Sequence, residues 1–225
     1  MGRCHTGALI PAVRPLLRGY LHAGAAVLSL VGGAYLAALT WADPPRLVSM
    51  VIYGAGLTLL FAVSAAYHLR AWAPARARVL RRIDHASIFV LIASTYTPVA
   101  FNLLAGTWRV ALLATVWALA AIGVGIAIAA VPLPRGLRVA IYIGMGWLAA
   151  AAFGQVDPPF PPLAAAALLA GGVLYTVGAV LYATRWPDPW PRVFGYHEIF
   201  HVLTIVAAAC FYALIAAYVV TAPRG

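Results

Sequence analysis

Residues 108–130, WRVALLATVWALAAIGVGIAIAA, decide the fold class of this protein. Arg109 is the only charged residue in the stretch, which is long enough as a helix to cross a hydrocarbon core about 30 Å thick. Backbone N–H and C=O groups cannot stay unpaired in lipid, and the chain lacks the alternating ten-residue pattern of barrel strands. The stretch therefore predicts a transmembrane helix.

The rest of the chain has the same apolar character. Of its 225 residues, 64% are hydrophobic and 9% are charged, and this balance excludes an ordinary soluble domain. The 15 basic residues are all arginine and, with 5 acids, give a net charge of +10. In a soluble chain this excess would indicate nucleic-acid binding, but here the arginines lie between long apolar runs, so we expect a membrane-embedded protein without a nucleic-acid partner.

Charged and proline-rich clusters divide the chain into seven apolar segments. They predict an all-α integral membrane protein, a seven-transmembrane helix bundle that forms a single domain over residues 1–225 and lies in the inner or plasma membrane as a multi-pass protein. The predicted spans are residues 19–41, 46–69, 83–105, 108–130, 137–154, 163–184 and 196–220. Glycines within spans are expected at close helix contacts; they are Gly54, Gly56, Gly144, Gly146, Gly171, Gly172 and Gly178.

The arginines also predict which way the bundle points. With seven spans, twelve arginines fall on the side of the N-terminus and three on the other side, so the positive-inside rule places the N-terminus in the cytoplasm and the C-terminus outside. The twelve are Arg3, Arg14, Arg18, Arg70, Arg76, Arg78, Arg81, Arg82, Arg135, Arg138, Arg185 and Arg192. The three are Arg46, Arg109 and Arg224.

A few ionisable side chains interrupt the spans. Such groups are costly at membrane depth and usually face the bundle interior. They are His22 in the first span, His68 at the end of the second, Asp84 and His85 at the start of the third, and His197, Glu198 and His201 at the start of the seventh. The predicted orientation brings all of them to the cytoplasmic leaflet, so four distant segments converge on one depth.

Three of these residues suit a zinc ion. His197 and His201 are four residues apart and share one helix face, and His68 adds a third imidazole. Three neutral nitrogen ligands leave the fourth tetrahedral position open, which is typical of catalytic rather than structural zinc. Ser64, one turn before His68, could hold a ligand or a bound water by hydrogen bond, and Asp84 could orient or deprotonate that water. This set could hydrolyse an amide or an ester.

Other roles remain open for the neighbouring residues. His22 could make an ordinary hydrogen bond within the bundle, and His85 points about 100° away from Asp84 on a helix. Asp84 itself could pair with Arg81 or Arg82, or favour the positive end of its own helix.

Residues 197–201, HEIFH, match the H-E-x-x-H motif of zinc metalloproteases, in which the glutamate is the general base. The motif makes Glu198 a second candidate base. Intramembrane proteases pair it with an aspartate in a later span, but this span is the last, and Asp157 and Asp188 lie in predicted loops. The protease interpretation is therefore disfavoured.

Three segments taken together match a known pattern more specifically than the H-E-x-x-H motif alone. The segments 64–68 (SAAYH), 84–88 (DHASI) with 94–98 (STYTP), and 197–201 (HEIFH) together resemble the hemolysin III family. That family is similar to the progestin and adipoQ receptors and, more distantly, to the alkaline ceramidases. The elements occur in order, with the expected seven-span layout, over almost the whole chain.

The resemblance implies a zinc site formed by His68, His197 and His201, with Ser64 and Asp84 beside it. Glu198 is not part of the wider family's required pattern. Many members also carry a glutamate and an asparagine in the two turns before the first-span histidine; the chain has Pro15 and Arg18 there instead.

Three functions follow as hypotheses. The first is a zinc-dependent, ceramidase-like hydrolase of amide- or ester-linked acyl lipids, with a role in membrane lipid homeostasis that the resemblance implies. The second is a non-enzymatic receptor or membrane-stress sensor in which zinc is a structural staple. The third is a pore-forming cytolysin, which is weaker because the spans show no polar stripe that could line a channel.

Overall fold

The computed structural model describes residues 17–156 and 159–223, and within these ranges every named element is helical. Seven of the helical segments are long and apolar enough to cross a membrane. The predicted all-α, seven-span bundle is thereby confirmed. Arg3, Arg14, Pro15 and Arg224, on which parts of the topology count and of the family comparison rested, lie outside the described residues.

The helices follow the order of the predicted spans. They are α1 (Tyr20–Leu39), α2 (Pro44–Leu69), α3 (Pro74–Leu103), α4 (Gly106–Ile128), α5 (Arg135–Gly146), the short α6 (Ala149–Ala152), α7 (Pro162–Thr184) and α8 (Tyr196–Leu214). A 3₁₀ turn, Phe153–Gln155, continues α6, and a π-helical turn, Ile215–Val219, continues α8. The fifth span therefore consists of α5, α6 and the 3₁₀ turn together.

Helix starts are set by caps and prolines. In α2, Pro44 occupies the first turn, where its missing N–H costs nothing, and Asp43 accepts a hydrogen bond from the Arg46 backbone N–H at 3.3 Å. Helix α3 likewise starts at Pro74, well before the predicted span limit at Ile83. The added turns are rich in arginine, so hydropathy begins the predicted span only after them. The backbone nevertheless stays helical beyond the hydrocarbon core.

The fifth span is interrupted where α5 ends at Gly146 and α6 begins at Ala149. The hydroxyl of Tyr96, from α3, donates to the Gly146 carbonyl at 2.6 Å and accepts from the Ala149 N–H at 2.8 Å. A break is tolerated within a membrane only where neighbouring groups satisfy the freed backbone, and Tyr96 does so here.

Helices α1 to α4 pack in sequence, each on the one before it. Helix α7 packs on α8, α8 packs back on α1, and α5 lies against α7 and α3. The interior contains large, fully buried side chains such as Met50, Tyr53 and Leu103. Many large apolar side chains point outward instead, including Leu28 and Leu163. Outward-facing apolar side chains are expected of a protein whose solvent is lipid.

Glycines mark some, but not all, of the helix contacts. An ideal Cβ on Gly54 would lie 2.9 Å from the Gly33 Cα, so the two backbones touch where α1 crosses α2. Gly171 likewise lies against the Phe211 ring. The same prediction was wrong for Gly144 and Gly146, since no packing atom of the described residues lies within 4 Å of a Cβ placed at either position.

Candidate metal centre

The histidines predicted to bind zinc are brought together at one end of the bundle. His68 lies in the last turn of α2, and His197 and His201 lie in the first two turns of α8. Their ring centroids are 4.8 Å (His68–His197), 5.3 Å (His68–His201) and 4.6 Å (His197–His201) apart. One nitrogen from each ring lies within 4.8 Å of the other two, so the three could hold a metal ion. We call these three residues the histidine cluster.

The start of α8 is fixed locally by two acids. The Asp188 carboxylate accepts a hydrogen bond from the Tyr196 N–H at 3.1 Å, and the Glu198 carboxylate accepts one from the Gly195 N–H at 2.9 Å. Free N–H groups at a helix start need such acceptors. These contacts hold the first turn in place and so position His197 and His201.

His22, whose role was left open, lies directly against the cluster. Its ring stacks on His201 with the centroids 3.7 Å apart and the planes 16° from parallel. Its Nδ1 shares a hydrogen bond of 2.8 Å with the Ser64 hydroxyl. His22, Ser64 and His201 are all buried, so His22 acts as a lateral support for a cluster ring.

Asp84 reaches the same group of side chains from α3. Its carboxylate lies near the Ser64 side chain, whose hydroxyl is bonded to His22. Within residues 17–156 and 159–223 it forms no ion pair with Arg81 or Arg82. The next residue, His85, lines a different cavity, as the 100° turn between neighbouring helical residues predicts.

Glu198 is engaged elsewhere. Its side chain is fully buried, and its Oε1 accepts a hydrogen bond from Arg18 Nε at 2.7 Å while Oε2 accepts the Gly195 N–H. Both carboxylate oxygens therefore have partners other than the histidines. Sequence reasoning missed this ion pair, because Arg18 was considered only as a topology charge and as a departure from the family pattern. The available signal was a glutamate at membrane depth, which needs a cation, and an arginine predicted at the same depth.

The cluster fits a zinc ion. Its three donors are neutral imidazoles, a ligand type that zinc prefers, and they come from two helix ends that other contacts hold in place. In the part of the chain that the structure describes, the buried Nδ1 of His201 has no hydrogen-bond partner, and neither has the buried Nε2 of the stacked His22. Buried polar atoms in native proteins rarely stay unsatisfied, and metal coordination by the His201 ring would account for one that does.

Comparison with known proteins supports the resemblance. The family described as Haemolysin-III related matches residues 11–212. The chain is 33% identical to the Hemolysin-3 homolog of Bacillus subtilis (strain 168), over 79% of this chain and 80% of the relative. It is 31% identical to Hemolysin-3 of Bacillus cereus, over 76% and 75% of the two chains.

A plant protein is similar over a comparable length. The heptahelical transmembrane protein ADIPOR2 of Oryza sativa subsp. japonica is 33% identical, over 75% of this chain and 80% of the relative. That relative is described as heptahelical, and the described residues of this chain contain seven helices long enough to cross a membrane. The family match over most of the chain, together with these identities, shows that this multi-pass membrane protein belongs to the haemolysin-III-related family.

Proposed function

We propose that this protein is a zinc-dependent hydrolase that cleaves an amide- or ester-linked acyl lipid at the membrane surface. The observation that carries the proposal is the convergence of His68, His197 and His201, with ligand nitrogens within 4.8 Å of one another. A three-histidine set leaves one coordination position for a reacting group, unlike the four protein ligands typical of structural zinc.

The neighbouring side chains have separate roles in the proposed reaction. When bound, zinc supplies Lewis-acid chemistry: it polarises a carbonyl oxygen and makes a water easier to deprotonate. Asp84 is the general base, because its carboxylate reaches the group of residues around the cluster, whereas both oxygens of Glu198 are occupied. Ser64 holds His22, and His22 supports the ring of His201.

The depth of the cluster favours a lipid substrate. His68 is the residue before the end of α2, and His197 is the second residue of α8, so both lie within one turn of a helix end. Amide and ester linkages of lipids lie at this interfacial level, between headgroups and acyl chains. His68 and His197 are only partly buried, so the cluster has an accessible side, and the buried His201 lies on its inner side.

The test begins with metal content. Detergent-purified wild type is compared with His68→Ala, His197→Ala and His201→Ala by elemental analysis, with His85→Ala as the matched control because His85 lies outside the cluster. We expect stoichiometric zinc in the wild type and the control, and its loss in each cluster variant. Folded wild type without metal would contradict the proposal.

Turnover then separates catalytic from structural zinc. Zinc-free and zinc-loaded protein are incubated with acyl amides and acyl esters in detergent, and product release and melting temperature are both measured. We expect zinc removal to abolish product release. If no substrate is cleaved and zinc removal collapses the melting temperature, zinc is a structural staple of a non-enzymatic receptor.

A further inference from the structure

A cavity lies between α3, α4 and α5, apart from the histidine cluster. Its volume is about 620 Å³. The polar side of its wall contains Arg81 and Arg82 of α3, Arg138 of α5, and His85. We call the three arginines the arginine rim. Asp84 and His85 are successive residues, so α3 separates this cavity from the Asp84 side of the bundle.

Among the described residues, no ion pair engages the arginine rim. Within the described ranges, the ion pairs join Arg18 to Glu198 and Arg46 to Asp43, and neither pair includes an arginine of the rim. Arg82 donates one hydrogen bond to the Ile128 carbonyl at 3.3 Å, and Arg138 donates one to the Leu133 carbonyl at 3.4 Å. A guanidinium has five N–H donors, so each rim arginine keeps several for a ligand. Guanidinium groups that line one cavity and keep spare donors suit a phosphate group.

An apolar groove continues from this cavity towards the membrane interior. Its volume is about 270 Å³, and it shares Phe89, Ile126 and Ile141 with the arginine-lined cavity. Its wall is otherwise formed by Leu119, Ile122, Gly123, Gly144, Met145 and Leu148. The groove lies between α4 and α5, because α4 packs on α3 whereas α5 packs mainly on α7.

We propose that the cavity and groove together bind an anionic phospholipid, with the phosphate on the arginine rim and an acyl chain in the groove. A soluble phosphate would contact only the arginine rim and would leave the adjoining apolar groove unoccupied. The rim also lies at the membrane end that the arginine distribution predicts to be cytoplasmic, where anionic lipids attract basic pockets. This inference does not depend on the proposed hydrolase activity.

The first test measures lipid binding by mass spectrometry of the intact protein released from detergent micelles. Dioleoyl phosphatidylglycerol and dioleoyl phosphatidylcholine are titrated separately, and inorganic phosphate is added as a competitor. We expect phosphatidylglycerol to bind more tightly than phosphatidylcholine, and phosphate not to displace it. Equal binding of both lipids would overturn the proposal, and so would displacement by phosphate.

The arginine rim is tested by the double variant Arg81→Gln/Arg138→Gln. The matched control is Arg76→Gln/Arg78→Gln, which removes the same charge from exposed positions of α3 outside the cavity. We expect the rim variant to bind phosphatidylglycerol about 10²-fold more weakly, because it loses two charge-assisted hydrogen bonds, and the control to keep most of the affinity. Equal losses in the two variants would mean that only the general surface potential attracts the lipid, and would contradict a specific site.

The groove is tested by filling it. A Cβ placed at Gly144 meets no packing atom of the described residues within 4 Å, and Gly144 lines the groove, so the leucine of Gly144→Leu has room to enter it. Gly125→Leu is the control, because Gly125 is equally open but lies outside the groove. We expect Gly144→Leu to lower phosphatidylglycerol affinity at an unchanged melting temperature. Unaltered binding by this variant would show that no acyl chain occupies the groove.

Discussion

Two acids near the candidate metal centre differ in what their oxygens contact. Glu198 is fully buried and is held by Arg18 at 2.7 Å and by the Gly195 N–H, whereas Asp84 lies beside Ser64. A carboxylate whose two oxygens are already engaged has little capacity to accept a further proton from a reacting group. The H-E-x-x-H spacing alone would assign the base to Glu198, and the contacts favour Asp84 instead.

We expect Asp84→Asn to retain zinc and to lower the turnover of an acyl substrate by about 10²–10⁴-fold, the usual contribution of a positioned general base.

Glu198→Gln should instead lower the stability of the protein, because it leaves Arg18 without its anion. Since the Arg18 side chain is 24% exposed, we expect a cost of about 2 kcal/mol, below the values typical of fully buried pairs. The measurements are turnover per bound zinc and melting temperature. If Glu198→Gln reduced turnover per zinc as strongly as Asp84→Asn, Glu198 would be the base.

At the scale of the helices, the crossing of α1 and α2 depends on two glycines. A Cβ on Gly54 would meet the Gly33 Cα at 2.9 Å, and backbone atoms cannot rotate away as a side chain can. Close backbone approach is a common basis of helix association in membranes, where lipid tails compete with apolar side chains.

We therefore expect Gly54→Ala to lower the free energy of unfolding by about 1–3 kcal/mol, the usual cost of overpacking. Gly24→Ala is the control, since Gly24 is also in a helix interior but has no atom within 4 Å of the added Cβ. Alanine has the higher helix propensity, so this control should be neutral or slightly stabilising. Reversible unfolding in mixed micelles measures both variants, and equal effects would contradict the close crossing.

The interrupted fifth span is a second feature of element scale. We expect Tyr96→Phe to leave the Ala149 N–H and the Gly146 carbonyl without the hydroxyl that pairs them, at a cost of about 1–3 kcal/mol. Amide hydrogen exchange at Ala149 should become faster, which a change in global packing alone would not localise. Tyr35→Phe, at an exposed position of α1, is the control. Unchanged exchange at Ala149 would show that Tyr96 does not hold the break.

At the scale of the whole molecule, orientation in the membrane is set by charge. The arginine count of twelve against three predicts a cytoplasmic N-terminus and an external C-terminus. We expect alkaline phosphatase fused after residue 225 to be active outside the cell, and the same enzyme fused within residues 131–134 to be inactive. The reverse pattern of activities would invert the predicted topology and place the histidine cluster in the outer leaflet.

Much of this architecture could be predicted locally. Hydropathy located seven spans, because each span must be apolar over its own length whatever it packs against. Hydropathy placed the start of the third span at Ile83, whereas α3 begins at Pro74. It also did not indicate the break within the fifth span. Both differences arise because hydropathy reports solvent preference and does not report where a backbone stays helical.

By itself, the sequence determined that the chain is a seven-helix membrane protein and that His197 and His201 share a face, since both follow from composition and helical spacing. Only the tertiary structure decided that His22 stacks on His201 and that Arg18 forms an ion pair with Glu198. These contacts depend on the rotation of each helix about its axis and on which helices are neighbours. Side-chain packing between distant segments sets both, and no local pattern in the chain encodes that packing.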